Sequence, residues 1–375
     1  MWNRSIYASF LILCFSFASD RPGNDRLWEG IKAFYSYNFD ESVNILSEVK
    51  VNHPEHPTVH FTWAVSKWLR AQAYDGTEAS YDTLFKALDK IIPVYEHYIK
   101  TIPDEPGYRL YDAASKGLKA RVHLGRKEWL NVILEGINGY TGVLSVHKNN
   151  PDLYDSYFPL GILNYYSGNM SGFVRFMSGF VGIEADKDLG LRFINIASEK
   201  GEFAWIEASQ VLVFIYLWMD SDFKKALEIS QLLVDKIPES IYNQHLFTES
   251  LIRNNKLNFA KTNLKKTYIM AENIPPLSKK SWIPTLNYQQ ALLAFYMQDF
   301  DRAMSFSTMS IEHFNAELDT PLGFSYLLRG MIYDLMGDRK NAVSDYRAVI
   351  NLDNHTAAII DARQYLNRPY VDSIE

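Results

Sequence analysis

Four short phrases recur along this chain, each at the junction of two stretches with helical spacing. They are NFDES from Asn38, DFKKA from Asp222, DFDRA from Asp299 and DRKNA from Asp338. A fifth, LNFAK from Leu257, is looser, yet its Ala260 stands 34 residues after Ala226. From Ala226 on, the alanine of this hinge returns after 34, 43 and 39 residues, at Ala260, Ala303 and Ala342, which points to repeated units. Each unit is a small supersecondary element that buries its apolar face only by stacking on its neighbours. No run sustains an alternation of polar and β-branched residues, so no strand is required. Breakers fall where helical connections belong, at Asp75-Gly76, Pro103 to Gly107, Asn149-Asn150-Pro151 and Pro275-Pro276. The expected fold is all-α, an α-solenoid of about eight helical hairpins.

The period is sharpest in GFSYLLRGMIYDLMGDRKNAVSDYRAVINLDN. With Gly323 as position 1, Tyr326 falls at 4, Gly330 at 8, Tyr333 at 11, Ala342 at 20 and Tyr346 at 24. Small residues at 8 and 20 let the two helices of a hairpin approach closely, and the large ones fill the space beside that contact. This stretch resembles the tetratricopeptide repeat. The same frame starts at Gly23, Glu207, Ile241 and Pro284, with degenerate pairs over 58–100, 110–147 and 154–200, where Gly117 and Gly161 are the expected close-approach residues. The organisation expected is degenerate repeats over 19–206, with a Gly/Phe-rich insert at 167–182, then better-formed repeats over 207–366 and a tail at 367–375. The section from Asp152 to Ala208 is similar to a broader group of exported bacterial tetratricopeptide proteins. The resemblance implies a right-handed superhelix that binds partners on its concave face, through positions 2, 5, 9 and 12 of each first helix.

The amino terminus reads differently. MWNRSIYASFLILCFSFASDRPG has a polar start with Arg4, an apolar run from Ile6 to Phe17, and small residues placed for cleavage after Ala18. The run is shorter than the roughly 20 residues a membrane-spanning helix needs. Residues 1–18 are therefore expected to be a signal peptide, and the protein periplasmic or secreted. The rival is a lipoprotein signal lipidated at Cys14, against which stands Leu13 where a small residue belongs. Cys14 is the single cysteine, so cleavage leaves no disulfide, thiolate nucleophile or Cys-ligated zinc.

With 47% hydrophobic and 22% charged residues the chain is composed to fold. A net charge of -6 without a basic run argues against nucleic acid or an anionic membrane surface as partner. No phosphate-binding glycine loop, H-E-x-x-H or G-x-G-x-x-G motif is present. Carboxylate pairs such as Asp186/Asp188 and Asp299/Asp301 stand at expected helix starts, where acids cap the helix and oppose its dipole. VNHPEHPTVHF brings His53, His56 and His60 within eight residues. In the repeat frame it is a corner between two repeats, where proline ends one helix and starts the next. As a zinc site it would need a further ligand and support around the rings.

Position 12 of the successive first helices reads Phe34, Trp68, Arg121, Tyr165, Trp218, Ile252, Phe295 and Asp334. Five aromatics among the eight could anchor an apolar or proline-containing extended segment, or strong curvature could bury them against one another. The insert SGNMSGFVRFMSGFVG is too apolar for an idle loop at Phe173, Phe176, Met177 and Phe180. It could plug the groove or form a lip that meets a partner or lipid. The function expected is a non-enzymatic scaffold, without a cofactor, that binds protein or peptide partners in the cell envelope during assembly or secretion. A groove holding a small apolar ligand or lipid, with the insert as lid, is the alternative. A histidine metal site is the third reading.

Overall fold

In the computed structural model, residues 21–126, 128–169, 185–316, 319–352 and 354–371 are described. Every regular element among them is helical, seventeen α-helices and a short 3-10 turn at Tyr154–Ser156. The helices pair in chain order. α1 (Asn24–Tyr35) packs on α2 (Phe39–Asn52), α3 (Pro57–Tyr74) on α4 (Thr77–Thr101), and α5 (Pro106–Gly125) on α6 (Trp129–Asn149). α7 (Tyr157–Asn169) packs on α8 (Lys187–Lys200), and α9 (Trp205–Trp218) on α10 (Phe223–Lys236). The last three pairs are α11 (Ile241–Arg253) with α12 (Leu257–Ala271), α13 (Pro276–Tyr296) with α14 (Phe300–Glu312), and α15 (Thr320–Leu335) with α16 (Arg339–Asn351). A final helix, α17 (Ala357–Asn367), covers the end. This is the all-α solenoid the period predicts.

The recurring phrases are the hairpin turns, and their chemistry is plain. Tyr37, Ser221, Asn255, Gln298 and Gly337 take φ values of 63°, 56°, 56°, 60° and 79°. Each stands immediately before the N-cap of the second helix, at Asn38, Asp222, Lys256, Asp299 and Asp338. One left-handed residue reverses the chain within three residues, and the cap then restarts the helix. The Asp222, Asp299 and Asp338 carboxylates each accept from the backbone N–H three residues on, at 3.2 Å.

Close approach within hairpins follows the small residues. A Cβ on Gly330 would lie 2.6 Å from the ring of the fully buried Tyr346. A Cβ on Gly161 would lie 2.9 Å from the backbone nitrogen of Ile194, so α7 and α8 touch through their backbones. One register differs from expectation. α13 starts at Pro276, two turns before the frame position at Pro284, because Pro276 at its first turn is pre-set for a helix. Pro284 remains inside the helix, and its carbonyl accepts from Ser310 Oγ at 2.7 Å.

A continuous apolar core runs from α1 to α17, with a satellite centred on Leu110, Tyr140 and Leu160. The array also closes on itself. Trp28 stacks on Phe203 at 5.3 Å, and the Tyr35 hydroxyl donates to the Glu207 carboxylate across 172 residues of chain. α3 rests on α13. The two extra turns of α13 carry Trp282, whose indole N–H donates to the Tyr37 hydroxyl at 3.2 Å. Its ring also lies 6.2 Å from Tyr242 and 5.4 Å from His245. The first hairpin is thereby tied to α9 and α13.

Candidate functional site

Beyond this closure, the inner helices of the C-terminal repeats form a polar ladder. Trp218, Glu249, Tyr288 and Phe324 occupy repeat positions 12, 9, 5 and 2 of α9, α11, α13 and α15, a diagonal set by the stagger between hairpins. Glu249 is fully buried. Its Oε1 accepts from Trp218 Nε1 at 2.9 Å, from the Tyr288 hydroxyl at 2.8 Å and from Arg253 at 3.4 Å. Arg253 also donates to the Tyr288 oxygen at 3.1 Å and lies over the rings of Phe223 and Phe324 at 5.4 and 5.5 Å. Burial, and then the Glu249 charge, pushes the Tyr288 phenol far above its ordinary value, so it serves as donor to Glu249. Burial works against the Arg253 cation, but the Tyr288 and Tyr296 oxygens and Glu249 outweigh it and raise its pKa.

Next to Arg253 the inner face opens into a cleft of about 390 Å³ between α11, α13, α15 and α17. Its walls are apolar at Leu292, Phe295, Leu327 and Met331, with Arg253 and Asp361 as its charged groups. Burial raises the Asp361 carboxyl pKa, and Arg253 opposes the shift. The end of the chain covers one side. Arg339 donates to both Asp334 oxygens at 3.0 Å and to the carbonyls of Tyr365 and Leu366 at 2.7 and 2.8 Å, capping the end of α17. The Tyr370 backbone N–H donates to Asp334 Oδ2 at 2.8 Å, and the Tyr370 ring lies 5.3 Å from Tyr365 and 6.0 Å from Phe295.

The position-12 residues have several fates. Phe295 lines the cleft, and Asp334 holds the tail. Trp218 is buried against His245, 5.7 Å away, and Ile252 is fully buried. Tyr165 is fully buried, its hydroxyl directed at Asp220. Phe34, Trp68 and Arg121 are half-buried, with Phe34 edge-on to Tyr35 and Phe39. Phe173, Phe176, Met177 and Phe180 lie outside the described residues, as do residues 1–18 with Cys14 and Ala18. Glu249, Arg253, Trp282 and Tyr370 were not singled out in the sequence. Glu249 had a signal, an acid at position 9 of an inner helix face.

The histidines each serve the corner. The His56 Nδ1 caps α3, accepting from Thr58 N–H at 3.3 Å. His60 Nε2 donates to the Pro54 carbonyl at 2.7 Å, and its ring meets Tyr95 edge-on at 5.8 Å. His53 ends α2 and lies 3.8 Å from Glu55. Burial lowers the pKa of His56 to about 4 and also lowers that of His60, so both are neutral at pH 7. Among the described residues no group of three or more His, Cys, Asp or Glu could hold a metal ion. Among them, too, no helix is long and apolar enough to cross a membrane.

Residues 325–356 match the family model of the tetratricopeptide repeat. The chain thus carries that repeat in α15 and α16, where the frame is sharpest. A search of curated proteins finds no match. Among solved structures, the chain is similar to the crystal structure of yeast Tom70, at 10% identity and a TM-score of 0.41, over 91% of this chain and 87% of that one. It is also similar to the crystal structure of the P58(IPK) TPR domain, at 9% identity and a TM-score of 0.26, over 92% and 97%.

Proposed function

We propose that this chain is a non-enzymatic scaffold that holds an extended polypeptide segment in the cleft between α11, α13, α15 and α17. The observation that carries this reading is the lining. The cleft is built from inner-face positions of three successive hairpins, including Tyr288, Leu292 and Phe295 of α13 and Phe324, Leu327 and Met331 of α15. Such a lining sets apolar side chains of successive inner helices along one cleft, an arrangement suited to an extended chain. The two charged groups in the lining fix direction rather than supply most of the affinity. The amino-terminal pattern ending at Ala18 favours a location outside the cytoplasm, so partners are sought among envelope or secreted proteins.

Panning a random peptide library on the full chain tests the reading. Selected peptides should lose about tenfold or more in affinity on Met331→Glu or Tyr296→Ala, which alter half-buried wall residues without emptying the core. Equal binding to both folded variants would place the peptide site elsewhere. A cleft that selects no peptide but takes up a fluorescent fatty acid would favour an apolar small-molecule ligand.

A further inference from the structure

We infer that the cleft recognises an extended segment carrying a proline–aromatic pair, and that the Tyr370 ring of the chain itself already fills one slot in its wall. This deepens the peptide-binding reading and rests on it. The chain leaves α17 at Arg368 with φ -135° and ψ 118°, and residues 369–371 run on without helical structure. Pro369 explains the exit, because the residue before a proline is pushed out of the helical region into extended backbone. Beyond Arg368 the backbone N–H groups have no helical partner, and that of Tyr370 donates to Asp334.

Its acceptor is prepared. The Asp334 side chain is 1% exposed, clamped by both contacts from Arg339 and by the Tyr346 hydroxyl at 2.8 Å. A buried carboxylate fixed on three sides and open on the fourth to a backbone N–H is a preorganised reading head. It sits at position 12 of the repeat that matches the family model. The Tyr370 ring occupies a slot between Tyr365 and Phe295, at the cleft wall. N–H to carboxylate, ring to aromatic slot and proline one residue before together make a recognition code written in the protein's own tail.

A partner segment with the same chemistry would displace the tail and continue toward Arg253 and Asp361. The tail is tethered within a few residues of its slot, so it competes at an effective concentration on the order of millimolar. A short peptide of the tail's own sequence therefore gains little against the intact chain, and removing the resident ring should admit it.

The test uses the full chain with Tyr370→Ala and a fluorescent, end-blocked pentapeptide of residues 367–371, Asn-Arg-Pro-Tyr-Val. The variant should bind it at least about tenfold more tightly than the wild type does. The gain should vanish when the peptide carries alanine in place of tyrosine, or when Phe295→Ala is added to the variant. Circular dichroism and melting check folding, and Tyr370→Leu replaces Tyr370→Ala if the latter unfolds. A folded variant that binds the peptide no better than wild type overturns the inference. If library-selected peptides still bind and still depend on Met331 in that case, the cleft reading survives and only the tail code fails. Uptake of a fluorescent fatty acid by the variant, without peptide binding, overturns both.

Discussion

The Glu249 carboxylate and the Tyr288 hydroxyl meet at 2.8 Å across two successive inner helices, and Trp218 reaches the same oxygen from a third. One fully buried acid thus joins α9, α11 and α13. Removing it by Glu249→Ala leaves Arg253, Trp218 and Tyr288 with unmet donors in a dry setting. The expected cost is about 3–5 kcal/mol, read as a lower urea midpoint for the C-terminal repeats. Glu249→Gln keeps an acceptor and should cost about half as much.

Trp282 fills the space between the first hairpin and α11. Trp282→Ala should destabilise the chain by about 3–5 kcal/mol from the lost packing. Its signature is location. Amide exchange should quicken in α1 and α2, distant in sequence, as well as in α13. Exchange confined to α13 would mean that the closure contributes nothing.

Acid dependence separates two groups that both meet Phe203. The ring of His56 lies edge-on to the Phe203 ring, and Asp155 accepts from the backbone N–H groups of Phe203 and Ala204 at 3.1 Å. Burial lowers His56 to about 4 and raises Asp155 to about 6. An unfolded histidine titrates near 6.5, so the folded chain loses stability through His56 as pH falls from 6.5 toward 4. Asp155 acts oppositely, with its folded pKa above the unfolded 3.8, and costs stability as pH rises through 6. Relative to wild type, His56→Gln should therefore gain by up to about 3 kcal/mol as pH falls through this window, and Asp155→Asn should gain by a similar amount as it rises. Parallel pH profiles for wild type and both variants would refute the assignment.

Gln298 is exposed and holds φ 60° at a hairpin turn, a conformation that costs a side chain about 1 kcal/mol. Gln298→Gly should raise stability by about 0.5 kcal/mol, the relief being partly offset by the freer unfolded chain. The matching position in the last hairpin is already Gly337, so Gly337→Ala should move stability the other way. Thermal melts of the two variants would show both signs.

Much of this fold was legible because it is local. Position 8 glycine and position 24 tyrosine, Gly330 and Tyr346, announce a hairpin by themselves, and Asp222, Asp299 and Asp338 announce its turn. The closure was not legible. Tyr35 with Glu207, and Tyr37 with Trp282, depend on the accumulated bend of several hairpins, which no single repeat encodes. The extra turns of α13 were hidden because Pro284 reads as a helix start, although Pro276 is the effective one. The same bend decides which position-12 residues line open space. Phe295 does and Tyr165 does not, although their repeat positions are identical.

The tie between the first hairpin and α13 changes what kind of mechanical object this is. An open solenoid stretches like a coil spring, each hairpin opening slightly against the next under load. Here the hydroxyls of Tyr35 and Tyr37 shackle the coil to itself across 172 and 245 residues of chain. Pulled from its ends, the coil is stiff until the shackle parts and compliant afterwards. Tension on the N-terminal arm is thus carried into α9 and α13, and because α13 also walls the cleft, a pull on that arm is felt there.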